Sequence, residues 1–100
     1  MHQCEINALA SKYGLEPSKQ HHGSDNRARF FLTMDLAGSD RYLQASLSYP
    51  DGATGQKGAV QVHVGLYGQR KIADDGTVNY DDLHSAVEDV SQRFKRLRCH

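Results

Sequence analysis

No stretch of this sequence approaches the ~18 consecutive apolar residues of a membrane-spanning helix, so a transmembrane segment is not expected. Near the N-terminus, Glu5, Asn7, Ser11 and Lys12 interrupt the apolar core that a signal peptide requires. A cytoplasmic protein is the expectation. Cysteine is scarce: Cys4 and Cys99 stand at opposite ends, too few for a disulfide framework. They are expected to be free thiols of a reducing compartment, although packed helix ends would bring them near each other. Charge of one sign is also missing, because Lys+Arg and Asp+Glu both number 12. Nothing global therefore attracts nucleic acid or an anionic membrane.

The motifs of catalysis and metal binding are equally sparse. Six histidines are present (His2, His21, His22, His63, His84 and His100), but none falls in the paired spacing of a structural zinc site. A site built from Cys4, Cys99 and His100 lacks that spacing too. No G-x-S-x-G element sets up a nucleophile. His63 could meet Asp35 or Ser46 across a sheet, but on an open surface where pKa tuning gains little. Gly52, Gly55 and Gly58 do not make a phosphate loop, because Lys57 precedes the last glycine and a strand follows. No cofactor, no metal and no enzymatic activity are expected.

What is present is a well-marked pattern of elements. One hundred residues, 38% of them hydrophobic, suit one domain spanning 1–100 with a single thin core. Ile6, Leu9, Ala10 and Tyr13 recur at helical spacing, and Gly14, Leu15 and Pro17 mark the helix end. Ser18 to Asn26 is polar and aperiodic and is expected to be loop. Arg27–Leu36, Arg41–Tyr49 and Ala59–Tyr67 alternate apolar and polar residues and are predicted strands. Ala37-Gly38-Ser39-Asp40 is a hairpin turn, and Pro50–Gly58 a long glycine-rich connection. Gln69–Ala73 could extend the sheet, with Asp74-Asp75-Gly76 as a turn. The last helix runs from Tyr80 to Leu97 on Leu83, Ala86, Val87, Val90, Phe94 and Leu97. Asn79 is its expected N-cap, with Asp82 at the third position and a Val78–Leu83 staple. Arg93, Lys95, Arg96 and Arg98 complement the negative helix end, and Asp89–Arg93 is an expected i,i+4 pair.

The expected fold is therefore α+β: a three-stranded antiparallel β-meander with N- and C-terminal helices on one face, in the order α-β-β-β-α. That order resembles the topology of the double-stranded RNA-binding domain. The family binds phosphate through a lysine-rich start to its last helix. This chain has Asn79-Tyr80-Asp81-Asp82 there, and two aspartates repel a phosphate backbone.

The polar sheet face carries the positive signal. Phe31, Tyr42, His63 and Tyr67 share its parity with Arg27 and Arg29. Exposed aromatics beside arginines anchor protein interfaces, and they also stack bases in single-strand readers. Missing chemistry and balanced charge favour the first: a small adaptor or inhibitor that masks a protein partner, or a second copy of itself. Binding of RNA or single-stranded DNA through the same face is the alternative.

Overall fold

The computed structural model describes residues 3–50 and 57–98. Cys99 and His100, with the questions of a terminal disulfide or metal site, lie outside the described residues, as do His2 and the Gly52–Gly55 stretch. Cys4 is exposed.

Two helices and an antiparallel sheet make an α+β domain. The helices are α1 (Gln3–Lys12) and α2 (Leu83–Arg98). Between them run β1 (Glu16–Pro17), β2 (His21–His22), β3 (Arg27–Asp35), β4 (Tyr42–Pro50), β5 (Val60–Tyr67) and β6 (Lys71–Tyr80). The sheet order is β1-β3-β4-β5-β6, with β2 also paired to β3. The expected three-stranded meander is therefore an incomplete description of a six-stranded sheet.

Helix α1 ends as its sequence dictates. Gly14 takes a φ of 69°, its N–H bonds to Ser11 O at 3.1 Å, and Leu15 N–H reaches Ala10 O at 3.0 Å. That is the two-bond stop of a glycine-capped helix, and Leu15 folds back into the core.

Ser18–Asn26 is not simply loop. Pro17 pairs with Leu32 and His21 with Arg29, so four steps on the outer strand match three on β3. The surplus residue is a bulge at Ser18–Gln20. Ser18 N–H donates to Phe31 O at 2.9 Å, and its hydroxyl accepts from Phe31 N–H at 2.8 Å. Two-residue strands split by a bulge on a sheet edge have no room for alternation, which is why the sequence pattern is silent there. The Gln3 side chain covers this edge, donating to Ser18 O at 3.0 Å and accepting from Gln20 N–H at 2.8 Å.

Strands β3, β4 and β5 match the alternation. Nine register pairs join β3 to β4 around the Gly38 turn, with Phe30 opposite Leu47 and Leu32 opposite Ala45. Strand β6 corrects the expectation. Asp74-Asp75-Gly76 is not a turn but a bulge: His63 pairs with Thr77 and Gly65 with Asp74. Gly76 supplies the positive φ (78°) that such a bulge favours.

The start of α2 also moves. Val78, Asn79 and Tyr80 stay extended because they pair with Val62, Gln61 and Val60. The cap is Asp82, whose carboxylate accepts from Ser85 N–H at 2.7 Å. Asn79 therefore caps nothing, and Val78 is not a staple; it is 43% exposed. Arg93 does not pair with Asp89 either. Its side chain is 1% exposed, and it grips the β6 bulge. Nε bonds Asp75 Oδ2 at 2.6 Å, and Nη2 bonds Asp75 O and Gly76 O at 2.8 Å each. Asp89 instead accepts from the Tyr80 hydroxyl.

Apolar residues of β3–β5 and both helices form one core, with Phe30, Leu32, Leu47, Val62, Val90 and Phe94 all nearly inaccessible. Both helices lie against one sheet face, α2 over β4–β6 and α1 beside it. Among the described residues the opposite face carries no helix.

Candidate functional site

The helix-free face is built by the second parity of each strand. Cross-strand register sets four rows on it. Asp35, Tyr42, Tyr67 and Lys71 make the first; Thr33, Gln44, Gly65 and Asp74 the second. Phe31, Ser46, His63 and Thr77 make the third, and Arg29, Ser48, Gln61 and Asn79 the fourth. All six residues singled out in the sequence, Arg27, Arg29, Phe31, Tyr42, His63 and Tyr67, lie on this face and are half-buried.

They do not form the single aromatic–arginine patch that parity alone implies. Tyr42 and Tyr67 stack across the β4–β5 boundary with ring centroids 5.5 Å apart and planes 18° apart. Gly65 makes room for this pair: a Cβ there would stand 2.9 Å from the Tyr67 ring. Phe31 and His63 occupy the third row. The arginines stand at the far end and already have partners. Arg27 Nε donates to Ser48 Oγ at 2.8 Å, and its Nη2 donates to Ser48 O at 3.0 Å and Ala59 O at 3.1 Å. It ties the end of β4 to the start of β5. Arg29 pairs with Asp25 at 2.5 Å. This contact lowers the Asp25 pKa and raises that of Arg29.

The residue that parity missed is Asp74. Its two oxygens lie 2.9 and 3.0 Å from His63 Nε2. It also accepts from Lys71 Nζ at 2.8 Å and from Gly76 N–H at 2.7 Å. The Lys71 ammonium, then the Gly76 amide, then His63 hold its carboxyl far below the usual range. His63 thus bonds to Asp74 rather than to Asp35, which is two rows away, or to Ser46, its cross-strand neighbour. A signal for this existed. Gly68-Gln69-Arg70 is a hairpin-length connection, and counting back from it along an antiparallel partner brings Asp74 to the His63–Gly65 stretch.

Chemically the face offers aromatic edges, hydroxyls and amides, with its charges largely paired within the chain. Among the described residues no three or more His, Cys, Asp or Glu side chains converge to hold a metal ion. A shallow groove beside α1, lined by Asn7, Ser11, Leu15 and Glu16, is open to solvent. No helix of the described residues is long and apolar enough to cross a membrane. Compared with known protein families, curated proteins and solved structures, the chain matches none.

Proposed function

We propose that the chain is a non-enzymatic protein-binding domain, a small adaptor or inhibitor that covers a surface of a larger partner with its helix-free sheet face. One observation carries this reading: Phe31, Tyr42, His63 and Tyr67 lie on the first and third rows of a face that no helix or strand of the described residues covers. Half-buried aromatics on a rigid sheet are pre-organised anchors, so little side-chain freedom is lost on docking. Both edges of the sheet are poor docking sites. The β6 edge carries Lys71, Asp74, Asp75 and a bulge, and the β1–β2 edge has Pro17 and the Gln3 cover, which are devices that block strand addition. Protein is favoured over nucleic acid because Arg27 and Arg29 are engaged within the chain. Binding a phosphate backbone draws on several cations with free donors, and the only Lys or Arg side chains in the four rows, Arg29 and Lys71, each already hold an aspartate.

The test is affinity capture from nuclease-treated host lysate with the wild type and with the Phe31→Ala/Tyr67→Ala double variant. A stoichiometric protein held by the wild type, and bound about 30-fold or more weaker by the variant, is expected. Equal retention by a folded variant overturns the docking face. Loss of every partner on nuclease treatment, with affinity falling steeply with salt, would assign the face to nucleic acid instead.

A further inference from the structure

The charges of the helix-free face are not spread evenly. The end bearing the tyrosine pair carries Asp35 and Asp74 against Lys71, with Glu16 at its margin beside Thr33. The opposite end carries Arg27 and Arg29 against Asp25. Counted over these side chains of the described residues, one end is net acidic and bulky, the other net basic and lined by the small polar Ser48. Asp35 is exposed and has no ion-pair partner among the described residues. The Arg29 side chain is 41% exposed beside Asp25, accessible to a second carboxylate.

A surface with opposite ends of this kind is complementary to itself when inverted. We propose that two copies of the chain pack helix-free face to helix-free face about a two-fold axis that crosses the strands at right angles. The axis passes between the second and third rows. It sets Arg29 of one copy opposite Asp35 of the other, twice by symmetry. It also lays Tyr42 and Tyr67 over Ser48 and Gln61 of the second copy, and His63 over its Gly65, so large groups meet small ones. Two sheets stacked in this way lie ~10 Å apart with strands within ~30° of alignment.

The size of the face bounds the interface. Four strands at ~4.8 Å spacing and eight residues at ~3.3 Å give roughly 500 Å² per copy. The pair therefore reaches only the lower bound of about 1,000 Å² for a specific interface. The dimer is reversible and weak, with half-dissociation in the micromolar range. The inference rests on the docking-face reading in that both use the same surface. Its consequence is self-masking: the free chain is stored as a dimer that must separate before a protein partner is covered.

Sedimentation velocity on the purified full chain, from about 1 to 500 µM, spans that range of association. The expected result is a monomer–dimer equilibrium. Arg29→Glu alone and Asp35→Lys alone should each raise the dissociation constant about tenfold or more, since each places like charges opposite one another twice. The Arg29→Glu/Asp35→Lys double variant should return to within about threefold of wild type, because the pair is then only exchanged. Asp25→Asn should leave the dimer intact. Circular dichroism checks that each variant is folded. A monomer across the whole concentration range, or a dimer indifferent to the single reversals, overturns the proposal. A monomer that still loses its partner in the Phe31→Ala/Tyr67→Ala variant would overturn the dimer and spare the docking face. A charge-dependent dimer whose partner is unaffected by that variant would do the reverse.

Discussion

Arg93 shows how a single residue can be misjudged from sequence. Its place near the end of a helix suggests a solvated cation answering the helix dipole. In the folded chain it is 1% exposed and its guanidinium holds the carboxylate and carbonyl of Asp75 and the carbonyl of Gly76. Burying a guanidinium is tolerable only when its donors find acceptors. Here Nη1 remains without a hydrogen-bond partner among the described residues. Removing the side chain strands the carbonyls of Asp75 and Gly76, leaves the Asp75 carboxylate only the 3.3 Å contact with Arg96, and opens a cavity. Arg93→Ala is expected to lower stability by about 3 kcal/mol, read from urea denaturation midpoints. Arg93→Lys should recover less than half of that, because a single ammonium cannot match a planar fork on three acceptors. Full recovery by lysine would show that charge alone matters there.

At the scale of elements, β3, β4 and β5 were legible because one face is buried and a period of two is enforced along each. The first helix was legible through its stop signal, and the second through its stripe. Strand β6 was not. Its two register shifts place Ile72 and Asp75-Gly76 out of step, so no single parity runs through Lys71–Tyr80. An Asp-Asp-Gly triplet favours a turn and a glycine-containing bulge alike, and only pairing with β5 decides between them. The helix start was misplaced for the same reason. Asn79 is a good cap in isolation, but its strand pairing with Gln61 keeps it extended and leaves Asp82 to cap. Gly76 has a φ of 78° and open space where a Cβ would go. Gly76→Ala should therefore cost only backbone strain, about 1–2 kcal/mol. Amide exchange should quicken in β6 and leave β4 unchanged; a uniform increase across the sheet would contradict a local bulge.

For the whole molecule, electrostatics make the fold sensitive to acid. Asp25, Asp74, Asp75 and Asp82 all have pKa values below the ordinary carboxylate value of 3.8. The causes are Arg29 for the first, Lys71 for the second, Arg93 for the third and the Ser85 amide for the last. A depressed folded-state pKa contributes stability above the unfolded value and loses it as the pH falls through the folded one. Stability should therefore be level above about pH 5 and decline progressively below pH 4. Asp75→Asn should be less stable at neutral pH and show a shallower acid decline, measured as urea midpoints against pH. An unchanged acid slope would remove Asp75 from the account.

The sequence by itself determined the layers, since local stop signals and buried periodicities act between near neighbours. It also determined which side chains share the helix-free face, because parity alone assigns Arg27, Arg29, Phe31, Tyr42, His63 and Tyr67 to one side. The tertiary structure decided what each of those side chains is free to do. Arg29 is held by Asp25, Arg27 by Ser48 and Ala59, and His63 by Asp74. It also decided the sheet's edges, where bulges break the period and strand pairing overrides local preference. Pairing energy depends on residues distant along the chain, and no short-range pattern encodes it.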